Sequence, residues 1–443
     1  MGWLLNSFLF TICVAVVDYM INKNEHPLVV SLEFSIVSGF ITFKIIPVLS
    51  PFFIKAGFHG KDLNKPGNPL RAEAMGIVCS VIYIFSMFLF IPFSFYKYFI
   101  SFGSGKDTYE LLKDGEKYQL FPHNKLGEYL SAILSLQSMV LLGIADDLFD
   151  IRWRYKLFMP ALSAIPILVV YYVDFNVTYV LVPVFLQSFL GGIIQIGWWY
   201  YLYMAALSIF CPNSINIIAG INGVEVGQSI IISLCIIIND LFYVFRLSSP
   251  AVDSHLFSLY FLLPFIGTSI ALLYHNWFPA SVFVGDTYCY FSGMIFAVVG
   301  IIGHFSKTIL LFFIPQIFNF ILSLPQLFGI VECPRHRMPK LNLSTGFLEP
   351  STIMFLQKPS LLSRIILKIL AKLHIVRLKI HPDTKEIQGT TNLTIINSLL
   401  VILGPKREDT LTIIIMVIQA IMGLLGLFIR HKMAKLIYLD DNY

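Results

Sequence analysis

The chain has 443 residues, of which 57% are hydrophobic and 13% charged, with a formal net charge of +5 and a mean hydropathy of +0.77. Soluble domains carry about 25% charged residues. Half that density excludes a soluble single-core enzyme, a disordered chain and a nucleic-acid binder that relies on charge. The composition fits a polytopic membrane protein, whose backbone satisfies its own hydrogen bonds in lipid.

A spanning helix takes about 20 predominantly apolar residues. Ten windows meet that length: 28–54, 74–96, 126–145, 157–174, 192–211, 226–247, 256–274, 287–303, 307–330 and 410–429. An eleventh apolar segment, 4–21, has no basic leader and reads as a signal anchor, a cleaved signal or an interfacial helix. Residues 97–125 form a polar loop, and 331–409 is the longest non-spanning stretch. Within it, LLSRIILKILAKLHIVRLKI (361–380) interleaves Lys and Arg with apolar residues, which suits a helix at the membrane surface or a small folded insert. The expected fold is therefore all-α and polytopic, with about ten transmembrane helices. It divides into an extra segment 1–27, a nine-helix core 28–330, an insert 331–409, and a last helix with its tail at 410–443. The six cysteines form no CxxC or Cys/His metal spacing and read as free thiols packed as small hydrophobes.

Alternating the ten spans across a bilayer sends residues 55–73, 146–156, 212–225, 275–286 and 331–409 to one side. That side carries 19 of the 31 Lys and Arg residues, which makes it cytosolic by the positive-inside rule. The loop 97–125 runs against the rule with five Lys, although four acids accompany them. On this topology the sequon at Asn176 faces the other side, as a possible glycosylation acceptor, and those at Asn342 and Asn392 stay bare.

The unusual polar groups all fall in those five cytosolic loops, and ionisable groups at membrane helix ends mark function by default. Asp146 and Asp147 are adjacent carboxylates that repel each other unless a cation offsets them, with Asp150 one turn on. Mg²⁺ takes one or two carboxylates plus phosphates and waters; a solvated acidic cap is the plainer alternative. Asn213, Asn216 and Asn222 sit in a Gly-bearing break, NSINIIAGINGVE, where an amide oxygen can ligate a metal or simply cap a helix. Asp286 in FVGDT adds a carboxylate after Phe283, or serves as the N-cap of the span that follows. Arg335, His336 and Arg337 make an anion site, because guanidinium forks onto phosphate oxygens, or else a positive-inside patch. Lys156 adds an ammonium near the acids. Acids and cations gathered at span ends suit a magnesium-bound diphosphate. Asn239 and Asp240, inside the apolar run IIINDLFYV, read as a span boundary on the opposite side. A transporter or flippase is the competing class, and it predicts midplane acids and paired repeats that the sequence lacks.

Eight collinear motifs carry a family likeness: GKDLNKP, FPHNKLGEYLSAIL, GIADDLFDIRWRYK, FCPNSINIIAGINGVEVGQS, HNWFPASVFVGDTYCYFSGM, VVGIIGHFSKT, PQIFNFILSLPQLF and CPRHRMPKLN. Over nearly all of 28–430 the chain resembles the polyprenyl-phosphate N-acetylhexosamine-1-phosphate transferases, in their eukaryotic endoplasmic-reticulum form. The resemblance implies transfer of GlcNAc-1-phosphate from UDP-GlcNAc to dolichyl phosphate, with Mg²⁺ as cofactor and a cytosolic active site. It also implies a homodimer, association with later enzymes of the dolichol pathway, and inhibition by tunicamycin-type nucleosides. By the same resemblance Asn216 and Asp286 look like the Mg²⁺ ligands, Asp146 and Asp147 match the acidic pair, and Lys156 matches a diphosphate-contacting lysine. Arg335, His336 and Arg337 match the phosphate and sugar loop, Asn222 and Phe283 the uracil site, and Asp62 and Glu73 the loop lining the nucleotide-sugar side. A related transferase using another UDP-sugar is the neighbouring reading.

Overall fold

A computed structural model describes residues 27–95, 122–149, 151–245, 251–334, 336–383 and 385–433. The segment 4–21, residues 97–121 of the polar loop, Cys13, Asp150 and Arg335 lie outside the described residues.

The chain is mostly helical. Long helices are α1 (Pro27–Lys55), α2 (Gly76–Ser94) and α3 (His123–Phe149). After the short α4 (Trp153–Lys156), α5 (Met159–Ser163) and α6 (Ile165–Asp174) come α7 (Trp198–Ile217), α8 (Val224–Val244) and α9 (Val252–Asn276). Then follow α10 (Asp286–Ile302), α11 (Ser306–Phe312), α12 (Ile314–Leu327), α13 (Leu361–Lys372), α14 (Ile395–Leu403) and α15 (Glu408–Phe428). Among the described residues six helices are long and apolar enough to cross a membrane, and α11 with α12, bent by 73°, makes a seventh if counted as one span. Their outer faces expose large apolar side chains such as Phe52, Leu89, Leu141 and Ile421, as lipid contact requires.

Besides the bent window 307–330, three expected windows differ from plain spans. Window 157–174 is interrupted at Ala164, between α5 and α6, where Pro166 has no N–H to give the preceding turn. Window 192–211 opens as a strand, β4 (Ile193–Gln195), paired with β3 (Tyr179–Leu181), and its helix α7 begins only at Trp198. Window 287–303 is the 17-residue α10. The all-α expectation also meets short antiparallel sheets: β1 (His59–Lys61) with β2 (Leu70–Ala72), and in the insert one two-stranded pair and one three-stranded sheet.

Helix α10 is the axis of the bundle, with every residue from Thr287 to Ile302 buried. Two glycines let its neighbours close on it. A Cβ on Gly143 of α3 would lie 2.5 Å from Thr287 Cα, and one on Gly293 would lie 2.3 Å from Pro212 of α7, so small residues set the helix spacing. These contacts bring the C-terminal ends of α3 and α7 to the N-terminal end of α10.

The stretch 331–409 folds as an insert with its own small core of Val331, Leu367, Val376, Ile387 and Leu393, closed against Leu322 of α12. It contains β5 (Lys340–Leu341) with β6 (Leu348–Glu349), and β7 (Thr352–Met354) and β8 (Leu378–Ile380) flanking β9 (Ile387–Thr391). Helix α13 buries Leu367 in that core and leaves Leu361, Leu362, Ile365 and Ile369 exposed. Among the described cysteines none is paired; four are buried and Cys333 is exposed. Asn392 is buried and hydrogen-bonded to Ser351 and Gln326. Asn239 and Asp240 lie in the last turns of α8, fully buried, with Asp240 2.7 Å from His255 Nδ1.

Candidate active site

The five polar loops meet at one end of the bundle. Asn64 Nδ2, from the loop joining β1 to β2, donates to Gly220 O at 3.2 Å. Ala280 N–H donates to Asn222 Oδ1 at 3.2 Å, and Phe283 N–H to Ala72 O at 2.7 Å. Lys156 Nζ reaches Asp286 Oδ2 at 3.0 Å. The Arg337 loop closes the ring: a Cβ on Gly220 would lie 3.0 Å from Met338 Cβ.

The adjacent aspartates point to different partners. Asp146, 3% exposed, accepts from Lys156 Nζ and from Tyr290 OH, each at 2.9 Å, and from Ile151 N–H at 3.0 Å. Lys156 thus bridges Asp146 and Asp286. Burial works against its charge, but Asp286 and Asp146 outweigh it and raise the lysine pKa above its ordinary value. Asp147 accepts from Asp286 N–H at 2.8 Å and Thr287 N–H at 3.2 Å, and from the Thr287 hydroxyl. It therefore caps α10 from a neighbouring helix, satisfying donors that a helix start leaves open. Asp286 was one candidate for that cap, but the N-cap position is Gly285, and Asp286 is the first helical residue with its carboxylate on Lys156. Gly285 has φ +78°, and a Cβ there would meet Ala74 Cα at 2.6 Å, so only glycine fits between the hairpin and α10.

Carboxylates outnumber cations at this end. Glu73 projects toward solvent beside Gly60 and Phe283. Partial burial, with the negative charges of Asp147 and Asp286, raises its pKa. Asn216 sits in the last turn of α7, and among the described residues nothing hydrogen-bonds its side chain. Among the described residues no three His, Cys, Asp or Glu side chains form a ready cage for a metal ion.

At the other end of the site, Asn222 is 6% exposed. Its Oδ1 also accepts from Lys65 Nζ at 2.9 Å, its N–H donates to Glu408 Oε1 at 2.7 Å, and its C=O accepts from Thr412 Oγ1 at 2.9 Å. Lys65 pairs in turn with Glu408 and, at 3.4 Å, with Asp62 Oδ2. Asp62 is buried and turned inward, its Oδ1 accepting from Asn64 N–H. The sequence does not single out Lys65, Glu408 or Thr412; Lys65 is one basic residue among several in the 55–73 loop.

Arg337 is braced through its backbone, its C=O accepting from Asn397 Nδ2 at 2.8 Å and Ser351 Oγ at 3.2 Å. Its Nη1 is buried with no hydrogen-bond partner, and burial lowers its pKa. A buried guanidinium donor left open is suited to an anion. His336 is exposed on the same loop.

Residues 129–304 match the family described as glycosyl transferase family 4. The chain is 52% identical to the UDP-N-acetylglucosamine–dolichyl-phosphate N-acetylglucosaminephosphotransferase of Schizosaccharomyces pombe, over 96% of each chain. It is 49% identical to the protein of that name from Saccharomyces cerevisiae, over 99% of each. With the Dictyostelium discoideum protein it shares 40% identity, over 90% of this chain and 88% of the other.

Proposed function

Since the chain belongs to the family of UDP-N-acetylglucosamine–dolichyl-phosphate N-acetylglucosaminephosphotransferases, we infer that it transfers GlcNAc-1-phosphate from UDP-GlcNAc to dolichyl phosphate. The products are dolichyl-diphospho-GlcNAc and UMP, the first step of dolichol-linked oligosaccharide synthesis. The observation that carries this is 52% identity sustained over 96% of both chains, and the geometry of the Lys156 end supports it.

The reaction joins an oxygen of the lipid phosphate to the β-phosphorus and breaks that phosphorus's bond to the oxygen retained by UMP. A phosphate monoester has a second pKa of about 6, so the nucleophile is largely dianionic at cytosolic pH and needs little general base. Repulsion between anions is the larger barrier. Lys156, kept charged by its two carboxylates, lies where a diphosphate gains an ammonium contact. Arg337 offers an open donor to phosphate and sugar oxygens, and Arg335 and His336 are assigned by sequence to the same role. Asp146, steadied by Tyr290 and Lys156, orients the lipid phosphate and accepts any residual proton. Asp147 acts by position, fixing the start of α10 and with it Asp286.

Mg²⁺ fits the donors here: oxygen ligands, with carboxylates in excess over one ammonium, and an amide at Asn216 that has no partner among the described residues. Asp286 and Asn216 would hold it, with substrate phosphates completing the shell. When bound it would supply positive charge to offset the negative charge of the diphosphate. Phe283 stacks on the uracil, Asn222 hydrogen-bonds it, and Asp62 and Glu73 belong to the loop bordering the nucleotide sugar.

The finer topology of this reading is ten spans in the endoplasmic-reticulum membrane, with the site facing the cytosol. Its supports are the basic bias of the five loops and their mutual contacts. The assembly is a homodimer that associates with later enzymes of the pathway. Purified protein given labelled UDP-GlcNAc, dolichyl phosphate and Mg²⁺ should release UMP and lipid-linked diphospho-GlcNAc together, and tunicamycin should block both. UMP release without labelled lipid would refute the reading.

A further inference from the structure

We propose that Lys65 and Glu408 lock the amide of Asn222 so that only its NH₂ group faces the nucleotide, which makes this end select a base presenting a carbonyl, such as uracil, over one presenting an amino group, such as cytosine. The proposal rests on the placement of the base at Asn222 and goes beyond it, because it names what sets the preference.

The argument is an inventory of one side chain. Asn222 has four kinds of polar atom, and three are engaged. The backbone N–H donates to Glu408 and the backbone C=O accepts from Thr412, both on α15. The side-chain Oδ1 accepts from Lys65 Nζ at 2.9 Å and from Ala280 N–H at 3.2 Å. Among the described residues nothing accepts from Nδ2, and that atom is not sealed from solvent.

Which way an amide points is ordinarily an assignment made from its hydrogen-bond network. Here chemistry leaves one answer. An ammonium and a peptide N–H are donors with no acceptor capacity, so the face of Asn222 toward Lys65 and Ala280 must be oxygen. The open face must then be NH₂. Turning the amide over would aim two donors at two donors and strand them in a buried site.

Glu408 keeps this arrangement from relaxing. Its Oε1 holds the Asn222 backbone while its Oε2 pairs with Lys65, and it is 2% exposed. Asp62 holds Lys65 from the other side at 3.4 Å, and Lys65 Nζ lies 4.4 Å from the centre of the Phe278 ring. The first residue of the last helix and a hairpin lysine, far apart in sequence, thereby set the polarity of one amide. A donor on the open face, set against the 4-position of the base, pairs with the carbonyl of uracil and repels the amino group of cytosine; the 2-carbonyl is common to both.

The test is equilibrium binding of UMP and CMP to the full-length protein in detergent, measured calorimetrically and independently of turnover. The wild-type protein should bind UMP about ten- to a hundredfold more tightly than CMP, the worth of one hydrogen bond gained against one donor left unpaired. Lys65→Gln replaces a pure donor with a group that also accepts, so the Asn222 amide can turn over and the preference should fall about tenfold. Asn222→Asp, nearly isosteric and still accepting from Lys65 and Ala280, presents an oxygen to the base and should reverse the preference toward CMP. A wild-type protein indifferent to the two nucleotides, a Lys65→Gln protein with undiminished preference, or an Asn222→Asp protein that still favours UMP overturns the proposal. Loss of transfer activity with the binding pattern intact would sink the transferase reading and leave this one standing.

Discussion

At one end of the site Asn222 has all but its amide NH₂ engaged by described residues, whereas at the Asp286 end carboxylates outnumber the ammonium that faces them. Lys65, Glu408, Thr412 and Ala280 hold Asn222 in a single orientation. Around Lys156, one ammonium faces Asp146 and Asp286, with Asp147 and Glu73 close by. The first arrangement suits recognition by a fixed group. The second has negative charge in excess, which suits the proposed metal arriving with its phosphates. The same division separates two neighbours in sequence. Asp147 satisfies the start of α10, and Asp146 holds Lys156, the lysine proposed to meet the diphosphate.

Removing a residue from the incomplete end should have the largest effect. Asp286→Ala is expected to cut turnover by about a thousandfold or more, on the scale of losing charge stabilisation at a reacting phosphate. Near-normal activity of that variant at limiting Mg²⁺ would contradict the assignment. Asp147 sharpens the contrast. Asp147→Ala should cost about 2 kcal/mol of stability, from the lost cap and the stranded Thr287 hydroxyl, and should be seen as a lowered melting temperature. Asp147→Asn, which keeps an acceptor, should recover most of that stability. A melting temperature unchanged in Asp147→Ala would show that the cap contributes little and that the residue's importance lies in chemistry.

Much of this was legible in the sequence because membrane spans and helix-end acids leave local signals. Windows 28–54, 74–96, 126–145, 226–247, 256–274 and 410–429 correspond to long helices α1, α2, α3, α8, α9 and α15. The five loops, which carry Asp62, Asp146 and Lys156, Asn222, Asp286, and Arg337, do come together. Hydropathy could not show where proline splits a span at Ala164, nor that Ile193–Gln195 pairs as a strand before α7 begins. Composition alone cannot tell an apolar strand from the start of an apolar helix. The partners of Asn222 were hidden for a different reason. Glu408 lies 186 residues away, and a contact between distant loops has no signature in either segment. The capping of α10 by Asp147 was hidden in the same way, because caps are sought in the residues just before a helix and here the acceptor belongs to α3.

The division of the site into a fixed base end and an ion-dependent phosphate end is tested most directly by comparing uridine with UDP-GlcNAc as ligands of the purified protein, with Mg²⁺ present and after chelation. The account predicts that chelation weakens UDP-GlcNAc binding about tenfold or more while uridine binding stays the same. Equal weakening of both ligands would contradict it.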